Sequence, residues 1–479
     1  MPDRYPSLAL APSHLVFAVF AGAAGASPVL AQPASSVGAG NAAQGLAPVL
    51  VEERREGPAD TYTPGATSIG KTQQLLRDIP QSVTIVPQKL IEDRNADTLR
   101  EALRNVPSLT FNAGEGGRTG DNITLRGYSA VGDLYLDGIR DMAQYNREVF
   151  NLEQIDVLRG SASMLFGRGS TGGVINQVSK QPFLSNQGNV AATLGSDRYR
   201  RLTTDVNQVL GSNMAIRLNA MGTDAGSFRD GVEQSRWGIA PSISWGIGTR
   251  DEFNLSYYQL KDDNVPDLGV PYFRNRPLAV PIDRFYGMAN ADYDKNDTRF
   301  LTARYTHRFD SNTSIRTILR KADYRRDLWA VAPRLFAGTT AIVDDTPLNR
   351  QRQARGSTEN VLTSQTDFVT KLRAGGLTHN VLVGAELVHE EMSRWNNTNS
   401  VANPATTVGN PNPWPALPAA YFSSRRQEFQ ARYDSHTTGL YAQDFIEFTP
   451  QWKWLVGARW DRMSAEYDRV APAGPLSRT

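Results

Sequence analysis

From Gly188 onward, hydrophobic and polar positions alternate with a period of two. Met214, Ile216, Leu218 and Ala220 share one face while Ala215, Arg217 and Asn219 share the other. Ile239, Ile243, Trp245 and Ile247 alternate with Ala240, Ser242, Ser244 and Gly246, and Trp454, Val456, Ala458 and Trp460 alternate with Leu455, Gly457, Arg459 and Asp461. Successive side chains of an extended chain point to opposite sides, so the pattern predicts long antiparallel strands. The tightest hairpin runs from Gly439 to Phe448, turns at Thr449-Pro450-Gln451 and returns from Trp452 to Arg462. Each arm has about the ten residues that a tilted membrane strand needs. Short turns such as Asp310-Ser311-Asn312 contrast with long connections, Lys261 to Asp297 and Ser393 to Gln427. Trp237, Trp245, Tyr257, Tyr258, Tyr305, Phe309, Trp452 and Trp460 fall near strand ends. Two loop classes and aromatic girdles fit a membrane β-barrel; sandwiches and propellers seldom carry one class of loop this long.

Ahead of this region the period breaks. Between about Ile79 and Lys180 short mixed elements predict a small α/β domain. Its strands are expected at Ser82 to Val86, Asn122 to Arg126, Gly132 to Leu136 and Ile155 to Leu158, with a turn at Asp137-Gly138. A helix is expected from Thr98 to Val106, where Thr98 and Glu101 make a capping box, Leu99, Ala102, Leu103 and Val106 form the apolar face, and Pro107 stops it. From Gln32 to about Asp60 an Ala, Gly, Ser and Pro-rich arm carries too little apolar content to fold alone. Inside it lies one apolar island, Leu46-Ala47-Pro48-Val49-Leu50-Val51, of a kind that can add as a strand to a partner's sheet edge.

Composition narrows the class. Net charge is +2, which gives no reason to expect a nucleic-acid partner, and the chain has no cysteine. Zero cysteine suits export through an oxidising compartment. Arg4, the apolar run Leu15 to Ala26 and the small-residue pattern Val29-Leu30-Ala31 read as a secretory signal peptide that leaves Gln32 first. No later stretch has the roughly twenty apolar residues of a spanning helix.

"LRGSASMLFGRGSTGGVIN", Leu158 to Asn176, contains five glycines. Gly167 to Gly172 matches G-x-G-x-x-G in letters, but Gly173 to Val178 reads as a strand, so the helix N-terminus that would hold a pyrophosphate is missing. Ser161 lacks the G-x-S-x-G elbow, and His14, His307, His379, His389 and His436 are scattered, so neither catalysis nor metal ligation by the protein is expected.

Several blocks in order, "IPQSVTIVPQKLI", "LREALRNVPSL", "TLRGYSAVGDLYLDGIRD", "NLEQIDVLRGSASMLFGRGSTGGVINQVSKQP" and "GLYAQDFIEFTPQWKWLVGARWDR", resemble the plug domain and barrel strands of TonB-dependent siderophore receptors of the outer membrane. "RDMAQYNREVFNLEQIDVLRGSASMLFGRGSTGGVINQVSK" turns the resemblance toward ferric-catecholate receptors. The resemblance implies a mixed α/β plug domain inside an antiparallel transmembrane β-barrel. It divides the chain into a signal peptide (1–31), a flexible periplasmic arm with the TonB box Leu46 to Val51 (32–77), a plug (78–183) and a partial barrel (184–479). The glycines become close-packing positions of the plug. The expected function is binding and TonB-driven import of a ferric siderophore. Catecholate ranks first and hydroxamate second, with haem and cobalamin behind. No cofactor is expected, since iron arrives wrapped; the partners are the siderophore, the TonB energy transducer and outer-membrane lipid, and the receptor is expected to act as a monomer.

Arg118, in the apical loop Phe111 to Asp121, and Arg140, Tyr145 and Arg147, in Arg140 to Arg147, are the ligand-binding candidates, because a trianionic tris-catecholate suits cations and stacking rings. Arg126 and Arg159 are expected to pair with wall glutamates and lock the plug, with Glu386 and Glu447 as candidate partners. A signalling receptor would need a further domain of roughly 80 residues before the TonB box, and a porin needs no plug. The region after Leu184 has room for roughly 12 to 14 strands, about half of a 22-stranded transporter wall. The sequence is therefore expected to be a fragment that neither inserts nor transports by itself, since an open sheet edge cannot stand in hydrocarbon.

Overall fold

The computed structural model of the chain describes residues 61–62, 66–72, 74–112, 120–449 and 451–470. The signal peptide, the island Leu46 to Val51 and Arg118 lie outside the described residues.

The mixed region is built on a five-stranded sheet of β1 (Ser82–Pro87), β2 (Leu134–Leu136), β3 (Ile139–Arg140), β4 (Leu152–Arg159) and β5 (Gly173–Ser179), in the order β1-β4-β5-β2-β3. β5 runs parallel to β2, with Ile175 opposite Leu134, and antiparallel to β4. Helices α1 (Gln88–Asp93) and α2 (Leu99–Ala102) accompany the sheet. The expected capping box is present: Glu101 N donates to Thr98 Oγ1 at 3.3 Å and Thr98 N donates to Glu101 Oε2 at 3.2 Å. The helix is shorter than expected, because from Leu103 the chain closes in turns before Pro107, which has no N–H to donate. Leu99, Leu103, Ile123, Leu125, Leu134 and Ile155 make one fully buried core.

The glycine cluster serves this packing. A Cβ on Gly172 would stand 2.2 Å from the Leu125 carbonyl oxygen, and one on Gly173, whose φ is +142°, would stand 2.0 Å from that of Leu158. Neither position accepts a side chain, so the strand Gly173–Ser179 enters the sheet at a distance only glycine permits.

The second region is an antiparallel wall. Eleven strands, from Gln187–Leu194 to Lys453–Arg469, pair in strict chain order, and Thr406–Thr407 adds a short rung. All but the first, Gln187–Leu194 with 8 residues, outrun the ten expected: Pro347–Ala374 has 28 and Arg426–Glu447 has 22. The long connections are correspondingly shorter than read, at residues 265–292 and 399–425, because the ladder continues into their flanks. Among the described residues the first and last strands do not pair with each other, so the wall is an open sheet.

The alternation is inverted relative to a soluble sheet. Ala215, Arg217 and Asn219 are at most 3% exposed, while Ile216 and Leu218 are 39% and 40% exposed. Leu301, Leu319, Val383, Leu387 and Leu440 continue the exposed apolar face. An apolar exterior over a polar interior is what a wall standing in lipid requires. No helix among the described residues is long and apolar enough to cross a membrane. Tyr258, expected in a girdle, instead lies inside and stacks on Phe150 at 5.6 Å and on Phe300 at 4.5 Å, because strand parity turns it toward the plug. Trp245, Phe253 and Tyr305 stack side by side on three neighbouring strands.

Candidate functional site

Three groups of polar residues join the plug to the wall or face the space between them. The first is the segment Arg140 to Arg147. Arg147 is 2% exposed. Its Nε donates to Asp141 Oδ2 at 2.9 Å, Nη1 lies 3.3 Å from Asp121 Oδ2, and Nη2 donates to the carbonyls of Asp141 and Ala143 at 2.7 and 3.2 Å. The guanidinium lies 4.2 Å from the Tyr145 ring centroid. Burial opposes the charge, but the carboxylates around it outweigh burial and hold the guanidinium pKa above its usual range. Tyr145 is equally enclosed; its hydroxyl donates to Asp141 at 2.7 Å, and the wall's Tyr324 donates to the other Asp141 oxygen at 3.0 Å. The expectation that Tyr145 and Arg147 present free donors to a ligand is corrected by this geometry: both are spent on closing the loop. The loop folds back over apolar core, and there a buried guanidinium has to be satisfied internally.

Arg140 differs. It is half-buried, donates to the Phe166 carbonyl at 3.1 Å and to that of Arg168, and faces a cleft of about 70 Å³ between plug and wall. The cleft also meets Arg168 from the plug and Glu359, Glu386, Glu390 and Arg459 from the wall. It is smaller than an ordinary small-ligand pocket, and its charges are mixed.

The second group was expected to be arginines of the plug meeting glutamates of the wall. Arg159 instead donates to the Pro107 carbonyl at 3.2 Å, Ser82 Oγ at 3.3 Å and Thr84 Oγ1 at 2.8 Å, because β1 lies beside β4 and takes its side chain. Arg126 is exposed with φ +53°. Glu386 stands 3.5 Å from Arg459 of its own wall, and Glu447 lies opposite Lys453 in the strand register. Among the described residues neither plug arginine makes an ion pair with Glu386 or Glu447.

The observed polarity is mostly the reverse: the plug supplies carboxylates and the wall supplies cations. Asp137, at the tip of the predicted Asp-Gly turn, accepts from Arg320 at 3.0 Å and lies 3.8 Å from Arg304. Burial opposes its charge, but Arg304 and Arg320 win and hold its carboxyl below the usual range. Glu148 takes Arg201 at 3.0 Å and Arg236 at 2.8 Å, Arg201 also reaches Asp97 at 3.0 Å, and Lys453 meets Asp78 at 2.8 Å. Sequence reading marked Asp137 as a turn residue, and nothing local ties it to an arginine far along the chain.

The third group tethers the segment that leads in from the arm. Lys71 donates to the Tyr441 hydroxyl at 2.8 Å and lies 4.0 Å from that ring's centroid; burial pushes its pKa down to about 8. Thr67 donates to Asp156 Oδ2 at 3.0 Å. Asp156 is fully buried, and burial pushes its carboxyl up to about 6.

Comparison with known proteins accords with this architecture. The TonB-dependent Receptor Plug Domain matches residues 75–174, and the family described as TonB dependent receptor-like, beta-barrel matches residues 237–478. The catecholate siderophore receptor Fiu of Escherichia coli K12 is 32% identical over 443 residues, covering 87% of this chain and 57% of the relative. The probable TonB-dependent siderophore receptor PiuA of Acinetobacter baumannii is 33% identical over 434 residues, covering 84% and 57%. The crystal structure of PiuA superposes with a TM-score of 0.79 at 29% identity, covering 87% of this chain and 62% of that one. The chain thus spans a little over half the length of the curated relatives it matches. With a plug seated against a wall that is apolar outside and polar within, and with both domains matched, the chain belongs to the TonB-dependent receptors of the outer membrane, a family of receptors and not of enzymes.

Proposed function

We propose that this sequence is the arm, plug and partial wall of a receptor that binds a ferric siderophore of the catecholate class and imports it with energy drawn through TonB. The observation that carries the reading is the identity of about one third, sustained across plug and wall, to a relative named a catecholate siderophore receptor and to one named a probable TonB-dependent siderophore receptor. In this reading 1–31 is the signal peptide, 32–77 the arm with its TonB box at Leu46 to Val51, 78–183 the plug and 184–479 wall. Arg140, on the cleft, and Arg118 are the ligand-facing cations, while Tyr145 and Arg147 position the loop that carries Arg140. Asp137, Glu148 and Asp97 with their wall arginines form the breakable seam between plug and wall. Only the complete wall transports, because both edges of the present sheet need partners before it can stand in lipid.

The test is iron-limited growth of a receptor-deficient host carrying the complete receptor that contains this sequence. Growth on a ferric catecholate, lost with Arg140→Ala and on deletion of residues 46–51, is the expected result. Growth on a ferric hydroxamate alone would overturn the ligand class. Heat-modifiable, trypsin-resistant outer-membrane protein made from the 479-residue chain alone would overturn the requirement for further strands.

A further inference from the structure

The histidines are scattered in sequence, but strand register brings two of them together. His389, on Leu377–Thr398, lies directly opposite His436, on Arg426–Glu447. Their rings stack with centroids 4.2 Å apart and planes within 10°. Asp434, two residues before His436, projects from the same face. Its Oδ2 is 3.4 Å from His389 Nε2 and its Oδ1 is 3.6 Å from His436 Nε2. Ligand atoms of all three residues lie within 4.8 Å of one another. Glu391 Oε1, 3.9 Å from His389 Nε2, adds negative charge at the margin.

The face is the outer one. Leu387 and Leu440, in step with His389 and His436, are half exposed, while Glu390 and Ser435, which alternate with them, are buried. The cluster therefore stands at the end of an apolar stripe and belongs to neither the cleft nor the seam with the plug.

The carboxylate holds neither imidazole in a tight ion pair. Separations of 3.4 and 3.6 Å are long for direct charge-assisted hydrogen bonds, which run at about 2.7 to 2.9 Å. The two distances run to different oxygens of Asp434, so one carboxylate faces both imidazole edges, and a metal ion bound there turns the stacked rings toward it and draws the three groups in to bonds of about 2.0 to 2.2 Å. Two imidazoles and one carboxylate select zinc, copper or nickel over magnesium or calcium. We propose that His389, His436 and Asp434 form a divalent transition-metal site of the zinc and copper class on the outer face of the wall. Bound metal ties two neighbouring strands together and keeps a fourth position for water.

The test uses the complete receptor that contains this sequence, purified in detergent, stripped with a chelator and titrated with Zn²⁺ alone and Cu²⁺ alone. The expected result is one equivalent bound, with a Cu²⁺ electron paramagnetic resonance spectrum split by two imidazole nitrogens. His389→Ala or His436→Ala weakens binding by about tenfold or more and leaves single-nitrogen splitting. Asp434→Asn weakens it less. His379→Ala, at a lone imidazole paired with Asp444 at 2.7 Å, leaves it unchanged. The wild-type spectrum is read without any variant, so a folding defect in one cannot mask the answer. Absence of stoichiometric binding, a single-nitrogen spectrum in the wild type, or binding that survives loss of both histidines overturns the site.

Discussion

Arg217 in the wall and Arg147 in the plug are almost equally inaccessible, at 3% and 2% exposure, yet they are buried by different means. Arg217 is inside because of its place in an alternating strand, and its partner Asp205 lies on the next strand, at 2.7 and 2.8 Å. Arg147 is inside because a loop folds over it and gathers Asp121, Asp141 and two carbonyls from separate stretches of chain. The wall's burial follows from a backbone period and pairwise register, so single contacts are replaceable. The plug's burial follows from many-sided closure, and each member supports the rest.

Arg147→Met breaks the comparison most severely. It leaves Asp121 and Asp141 buried without their cation and is expected to cost about 3–5 kcal/mol, seen as a lower urea midpoint and faster proteolysis of the plug. Exchange of a lipid-facing residue such as Leu387 for Ala should not change plug proteolysis.

Next in size is Asp156→Asn, with the opposite sign. The folded carboxyl titrates near 6 against 3.8 for the free group, so its stabilising contribution is complete below about pH 4 and lost as pH rises through 6. Removing the charge should raise stability at pH 8 by about 2–3 kcal/mol, and that gain should vanish below pH 4. A gain that persists at pH 3.5 would show that something other than the buried charge is responsible.

Asp137→Asn is expected to cost about 2 kcal/mol by weakening charged hydrogen bonds at the seam. The effect should be greatest near neutral pH. Because the native carboxyl is held below its usual range, the contribution is present above about pH 4 and is lost as pH falls. Spin labels on plug and wall would report the looser seating as a broadened distance distribution.

The smallest expected change is Trp245→Ala, in the exposed stack with Phe253, at about 0.5–1.5 kcal/mol. A larger loss than that of Arg147→Met would invert the contrast between a tolerant wall and an intolerant plug.

Legibility divides along the same line. The alternation around Met214 to Ala220 fixed two faces correctly, the Thr98 and Glu101 capping box was visible as a local motif, and the strand after Gly172 excluded a phosphate loop. All three depend on residues a few positions apart. The ligand candidates Tyr145 and Arg147 and the expected locks Arg126 and Arg159 were legible as residue types in conspicuous motifs, but their partners were not. Arg159 turned to Ser82 and Thr84 because the plug sheet places β1 beside β4, an order the chain does not display. His389 and His436, dismissed as scattered, meet through a register summed over a whole hairpin.

What the sequence determined alone was the period of the strands, which side chains share a face, the sites of turns and close glycine packing, and the family resemblance. These are properties of a backbone that repeats every two residues and of side chains that act on their immediate neighbours. The tertiary structure decided which polar groups meet: Asp137 with Arg320, Glu148 with Arg201 and Arg236, and Lys71 with the Tyr441 hydroxyl. Desolvation makes such pairs obligatory once they are buried, but the choice of partner depends on which surfaces the plug and the wall bring together, and no local pattern in the chain encodes that.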